Sequence, residues 1–350
     1  MATKGTLSAT LVMQSVSMSQ RPTLSDSMQS AIRRTAAAIS DGRHDAGALA
    51  DFIEETKSLP LSKFSGYESA IRAAAYVQEP PRQRFLWQQP PKEYSFPVPW
   101  FDLFSGNGFR RERVLRAVKV EAPSPFLLAM LIRRLNDWVP QVREAAQDTV
   151  RHALTTSAAD IVAEVAWATL PVRTSWNRID ADGAAILDSL TERSDVAEAI
   201  FRRLLSVPAG RASAVLREVS RRANLDAFLP ELAASAVQPA VRAAAYRMLL
   251  NRRAVWPDGW TWRWVDKSMG ERIRERVWAS RELTVAVDFV PTLTAAMQDS
   301  SPAVRRIAGD VLIAHRAQLG DVAITLARYL ETDHYPSIAE RGRFLLSKGR

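Results

Sequence analysis

Residues able to do chemistry are few in this sequence and poorly grouped. The four histidines, His44, His152, His315 and His334, form no close H-x-x-x-H pair, so the two-histidine helical metal motif is missing. There is no cysteine, which removes thiol nucleophiles, disulfides and thiolate zinc sites together. No G-x-S-x-G, Walker or G-x-G-x-x-G pattern occurs, and the SGNG at Ser105 to Gly108 lacks the Lys-Ser/Thr of a phosphate loop. It reads as a turn leading into a helix. His315 continues an apolar stripe and reads as a core or edge histidine. The carboxylates are spread over every predicted helix and read as solvated faces. The sequence therefore predicts no metal and no cofactor, and more readily a protein without catalysis than an enzyme.

One segment does concentrate unusual side chains. Trp256 to Arg281, WPDGWTWRWVDKSMGERIRERVWASR, holds five of the ten tryptophans among Arg263, Lys267, Arg272, Arg274, Arg276 and Arg281. A helix starting near Asp258 would put Trp260 and Trp264 on one face and Trp262 and Asp266 one turn apart on another. Not all of these can be core. Indoles interleaved with guanidinium groups can stack on bases while the cations hold phosphates. The competing expectation is that the tryptophans pack between helices with arginine laid over them by cation–π contact.

The elements that must position this segment follow from spacing. PQVREAAQDTVRHAL from Pro140, PAVRAAAYRMLL from Pro239 and PAVRRIAGDVLIAHR from Pro302 share P-x-V-R-x-x-A. Proline is pre-set for the first helical turn. Behind it Val142, Ala145, Ala146, Thr149, Val150 and Ala153 recur at the interval of one buried helical stripe, as do Val304, Ile307, Ala308, Val311 and Leu312. Arginine three residues after the origin extends the series to starts near Ser175, Pro208, Met269 and Pro336, the last with Ala339 in the arginine position. Weaker matches occur at Ser30, Ser69 and Gly108. The spacing from Pro140 on is 30 to 35 residues. Second apolar helices begin near Asp160, Leu225, Asp288 and Asp321. Two helices per period and no strand pattern predict an all-α chain, an α-solenoid of stacked antiparallel helix pairs running from residue 26 to 350. A closed helical bundle is the runner-up.

NDWVPQVREAA (136–146) and QDSSPAVRRIA (298–308) resemble HEAT repeats, of the short bacterial kind also described as phycobilisome-lyase-like. The resemblance implies a ladder between neighbouring units, formed by an aspartate in the turn and the arginine of the second helix. Asp137, Asp266, Asp299 and Asp333 stand three residues before predicted starts, the first three opposite Arg143, Arg272 and Arg305. Arg242 occupies the arginine position of its own unit, and Ala236 and Leu205 break the series. HEAT-like alkylpurine DNA glycosylases, which share this general design, use a tryptophan and an aspartate one helical turn apart. Trp262 and Asp266 are similar to that pair and are the only catalytic candidates.

Charge and composition bound the partners. The net charge of +9 comes from 47 basic and 38 acidic residues, and the whole excess lies beyond residue 200, where 24 basic face 15 acidic side chains. Forty of the basic residues are arginine, which pairs bidentately with phosphate or carboxylate. No apolar run reaches the roughly 20 residues needed to span a bilayer. Residues 1–25 read as a loosely ordered leader, and a cytoplasmic location is expected. Residues 79–104 carry Pro80, Pro81, Pro90, Pro91, Pro97 and Pro99 and read as an extended insertion. Its Phe85, Trp87, Tyr94, Phe96 and Trp100 are expected to cap the core edge, with a partner-binding arm as the alternative. The expected function is a HEAT-repeat scaffold binding a protein partner on its curved surface. The rival is nucleic-acid binding through Trp260, Trp262, Arg263, Trp264, Lys267, Arg272, Arg274, Arg276 and Arg281. The sequence leaves the oligomeric state open.

Overall fold

The computed structural model describes residues 22–41, 45–76 and 99–348. The leader up to residue 21, His44, and the proline-rich stretch with Phe85, Trp87, Tyr94 and Phe96 lie outside the described residues. Within them the chain forms α1 (Asp26–Ser40), α2 (Ala46–Lys57), α3 (Phe64–Tyr76), α4 (Gly108–Ala117), α5 (Pro125–Arg133) and α6 (Pro140–Thr156). There follow α7 (Ala159–Thr169), α8 (Ala181–Ser189), α9 (Ser194–Ser206), α10 (Ala212–Val219), α11 (Leu229–Ser235) and α12 (Pro239–Asn251). Two antiparallel strands, β1 (Arg253–Asp266) and β2 (Glu271–Glu282), interrupt the helices before α13 (Phe289–Met297), α14 (Pro302–Leu319), α15 (Asp321–Glu331) and α16 (Pro336–Lys348).

The protein is thus mostly helical with one small two-stranded sheet. Proline opens α5, α6, α12 and α14, where its missing N–H is no loss. The predicted origins at Gly108, Pro140, Pro239, Pro302 and Pro336 are helix starts. Asn107 of the SGNG turn caps α4 by accepting from the N–H of Phe109 at 2.9 Å. The origins at Ser175 and Pro208 are displaced, because a 3₁₀ turn covers Leu170–Ser175 and the helices begin at Ala181 and Ala212. The origin at Met269 is overturned, since that residue lies in the turn between β1 and β2.

Side chains from Leu24 to Leu345 form one continuous apolar core. Each helix touches its neighbour in sequence or the helix two places on: α4 packs on α6 and α6 on α8, α5 on α7 and α7 on α9, α10 on α12, α12 on α14, and α14 on α16. Close approach is sharpest between α15 and α16, where a Cβ on Gly342 would stand 2.5 Å from the Glu331 nitrogen and 2.6 Å from the Ala327 oxygen. Only glycine fits there. Trp100, Phe101, Leu103 and Phe104 lie in a 3₁₀ turn and are buried, with Phe101 and Phe104 edge-on to Phe52. This part of the expected insertion fills core.

The same arginine geometry recurs four times. Arg111, Arg143, Arg242 and Arg305 each donate from Nη1 to the carbonyl six residues earlier, on Ser105, Asp137, Ala236 and Asp299, at 2.8 to 2.9 Å. The remaining fork turns to an aspartate further along the chain. Arg111 holds Asp137 at 2.9 and 2.8 Å, Arg242 holds Asp299 at 2.8 and 2.8 Å, and Arg305 holds Asp333 at 2.6 and 3.2 Å. Arg143 only approaches Asp180, at 4.0 Å. The expected pairing is therefore corrected. Each aspartate takes its side-chain partner from the preceding arginine, while Arg143 and Arg305 bind the backbone carbonyls of Asp137 and Asp299. Asp333, expected to lack an arginine, has one. The Arg242–Asp299 pair joins residues 57 apart against 28 for Arg305–Asp333, because β1 and β2 are inserted between them.

Candidate nucleic-acid interface on the hairpin

The helix expected from Asp258 is a strand, and the change of period regroups the side chains. At a period of two, Trp260, Trp262 and Trp264 share one face of β1. The register sets Trp260 opposite Arg276, Trp262 opposite Arg274 and Trp264 opposite Arg272. Trp278 follows on the same face of β2. Arg272 lies over Trp262 at 4.5 Å and Trp264 at 5.9 Å, Arg274 over Trp260 at 4.7 Å, and Arg276 over Trp260 at 4.8 Å and Trp278 at 5.9 Å. Indoles and guanidinium groups thus interleave across the two strands. Trp260, Trp262, Trp264 and Trp278 keep 42%, 55%, 48% and 51% of their surface exposed. These tryptophans do not pack between helices, which corrects that expectation while keeping its cation–π stacking. Contiguous exposed aromatic area of this kind marks an interaction surface.

Local sequence explains the strands. Trp, Val, Ile and Thr suit a pleated surface, and Asp258-Gly259 supplies a bulge between Pro257 and Trp260 where Gly259 takes φ +112°. At the tip Asp266 accepts from the N–H and hydroxyl of Ser268 at 2.8 and 2.6 Å and from the N–H of Met269 at 3.2 Å. Gly270 at φ +69° completes the turn. The Ser268 hydroxyl, with these N–H groups, holds the Asp266 carboxyl below its ordinary value. Asp266 is therefore a turn residue. It makes no inter-helix pair with Arg272, which overturns its ladder role, and no helical turn relates it to Trp262, which removes the geometry on which the catalytic expectation rested.

The other candidates divide by face. Arg263 points away from the tryptophans and pairs with Glu275 at 2.9 Å, and Lys267 is exposed in the turn. Arg281 is an anchor and no ligand group. All five of its N–H groups are used: Nε on the Ser220 carbonyl, Nη1 on Asp226 and the Glu282 carbonyl, Nη2 on Asp226 and the Arg222 carbonyl. Asp226 also accepts from the Thr284 N–H at 2.8 Å and hydroxyl at 3.0 Å. Burial pushes its carboxyl up, but Arg281 and Thr284 outweigh burial and leave it below the ordinary value. Arg221 makes a second anchor, donating to Asp258, the Pro257 carbonyl and Glu218 and lying over Trp256 at 5.4 Å. Beyond these contacts eight residues of β1, Gly259 to Asp266, project, roughly 26 Å at 3.3 Å per residue.

Sequence reasoning passed over a second arginine set. Arg217, Arg247, Arg252, Arg253 and Arg306 line a cleft at the foot of the hairpin. They stand on four separate stretches of sequence, and the adjacent pair Arg252-Arg253 is the single local signal in the sequence that could have drawn notice to them. Among the described residues no group of three or more His, Asp and Glu could hold a metal ion, and no helix is long and apolar enough to cross a membrane. No protein-family model matches this chain, and no curated protein is significantly similar to it.

Proposed function

We propose that this chain is a non-catalytic binding protein, an α-solenoid of HEAT-like helix pairs, whose inserted hairpin holds nucleic acid along its tryptophan–arginine face. Contacts between helices two apart, and the arginine arrangement repeated at Arg111, Arg143, Arg242 and Arg305, support the solenoid. One observation carries the ligand: four exposed indoles alternate with three guanidinium groups, and no carboxylate interrupts that face from Trp260 to Trp278. Bases stack on indoles irrespective of sequence, and guanidinium groups meet phosphates. A scaffold role toward a protein partner is the second reading, favoured by Val265, Ile273 and Val277, which are exposed on the other face.

The test is fluorescence anisotropy with a labelled single-stranded oligonucleotide between about 50 and 200 mM salt, the range over which phosphate contacts weaken steeply. Replacing Trp260, Trp262 and Trp264 together by alanine is expected to cost about 1–3 kcal/mol per stacked base. Absence of binding by the unaltered protein at the lowest salt refutes the reading.

A further inference from the structure

The hairpin's tryptophan face does not end at its last exposed indole. Trp278 also lines an open cleft of about 1030 Å³, together with Arg253, Val255 and Glu282 of the strand bases. Arg253 pairs with Glu282 and Val255 with Ser280 in the register, so these residues continue the face that carries the tryptophans. The helical side of the cleft comes from α10, α12 and α14. Ala240, Ala243, Ala244 and Ala303 keep that side low, and Arg217, Arg247, Arg252 and Arg306 rise around it.

Three features mark the arginines of this cleft. Arg111, Arg242, Arg281 and Arg305 each hold an aspartate, whereas Arg217, Arg247, Arg252, Arg253 and Arg306 make no ion pair among the described residues. Glu282 is the one carboxylate in the cleft lining. Arg217 is half-buried, and its Nε is buried without a hydrogen-bond partner among the described residues. Arg252 ends α12 in the left-handed backbone region, φ 51° and ψ 30°, where glycine is the usual residue. An arginine in that region bears a backbone cost that glycine would not.

We propose that this cleft is the phosphate-binding end of the site: a single-stranded nucleic acid whose bases stack on the hairpin indoles passes Trp278 and lays its backbone phosphates on Arg217, Arg247, Arg252, Arg253 and Arg306. The assignment rests on the nucleic-acid reading above and adds the residues, the strandedness and the path. Five guanidinium groups against one carboxylate match a run of phosphates in charge, and the alanine floor admits a flat backbone. The adjoining indoles offer stacking faces that a base-paired duplex would not present its bases to.

The experiment uses the full-length protein with labelled oligo-uridylate, a duplex DNA of equal length and a poly-glutamate peptide, each titrated at several salt concentrations. A single-strand phosphate contact contributes about 0.7 to the slope of log K against log salt, hence about fivefold in affinity near 0.1 M salt. The Arg247→Ala/Arg306→Ala variant is expected to bind oligo-uridylate about 25-fold more weakly, with a slope lower by about 1.4. Arg252→Gly relieves the backbone strain, so it is expected to bind about fivefold more weakly while unfolding at the same temperature or higher. That combination separates a ligand role from a structural one. An unchanged slope in both variants, with wild-type binding intact, overturns the cleft and leaves the hairpin reading standing. Poly-glutamate binding as tight as the strand's and equally sensitive to the variants, or duplex DNA preferred to the strand, overturns the assigned occupant. No oligonucleotide binding by the wild type at low salt sinks this assignment and the proposed function together.

Discussion

The hairpin can present its face in one orientation only if its base is locked, and that lock is Asp226 with Arg281. Asp226 is 1% exposed and accepts four hydrogen bonds, two from Arg281 at 2.6 and 2.8 Å and two from Thr284. Replacing it by alanine strips Arg281 of its counter-charge and leaves the Thr284 N–H without its acceptor. Removing one partner of a buried pair costs about 3–5 kcal/mol. The Arg281 side chain keeps 20% of its surface, so water can partly replace the carboxylate and about 3 kcal/mol is expected. Because Asp226 and Thr284 tie the hairpin to the body, the loss falls on hairpin opening. At 1.4 kcal/mol per tenfold, amide exchange in β1 and β2 should accelerate about a hundredfold, with α4 to α6 unchanged. Hydrogen exchange of Asp226→Ala, Arg281→Ala and the double variant forms a cycle with an expected coupling of about 2 kcal/mol. Coupling below about 0.5 kcal/mol, or acceleration spread evenly over the helices, refutes the anchor.

Other outcomes follow from the same structure. Gly342→Ala forces a methyl group onto the backbone of α15 and should lower stability in urea by about 1–3 kcal/mol; a neutral result would mean that α15 and α16 pack less closely than described. Trp100→Ala, at a site 4% exposed, should cost about 3–5 kcal/mol, whereas Trp262→Ala should lose only about 0.5–1 kcal/mol of stacking with Arg272, and equal losses would contradict the contrast. Asp137, Asp226, Asp299 and Asp333 are held below the ordinary carboxylate value: burial opposes this at the first three, but their arginines and N–H donors prevail, and at Asp333 the Arg305 hydrogen bond dominates. A depressed folded value stabilises above the unfolded pKa of about 3.9 and is lost as pH falls through the folded one. Asp102 and Glu218 are raised by burial and gain stability on protonation, so melting should not worsen from pH 7 to about 5 and should fall sharply below about 4; decline already by pH 5 would contradict this. Asp266→Asn should leave base release from methylated DNA unaltered and at background, and release abolished by that substitution would restore the catalytic expectation.

The helical part of the chain was legible because one signal decides it. Proline followed by apolar residues at i, i+3 and i+4 marks both where a helix starts and which stripe it buries, and Val142, Ala146 and Val150 are all fully buried. The partners of the arginines were harder to read, since Asp137 lies 6 residues from Arg143 and 26 from Arg111, and only the packing of α4 on α6 brings the distant arginine to its carboxylate. The hairpin was misread for a specific reason. Arginine three residues after Met269 matched the helical series, and in a chain with forty arginines such a match carries little information. The competing signal was W-T-W-R-W facing R-I-R-E-R across a turn with Gly270, an alternation of period two that no amphipathic helix produces.

The hairpin lodges between α12 and α13 without breaking the packing of the helices around it. The contacts of α12 with α14, and of Arg242 with Asp299, are those that helices two places apart make elsewhere among the described residues. The inserted residues leave and return at nearly one point, since Arg253 pairs with Glu282 and the Leu283 N–H binds the Arg252 carbonyl at 3.1 Å. An excursion whose ends meet costs the array little closure entropy and no packing. The helices then anchor the hairpin, and the hairpin carries the exposed indoles. The strain at Arg252 is the local cost of turning α12 sharply into β1, about 1–2 kcal/mol for a non-glycine residue in that region. Glycine would make the same turn without it, so the position separates what the fold requires from what the cleft requires.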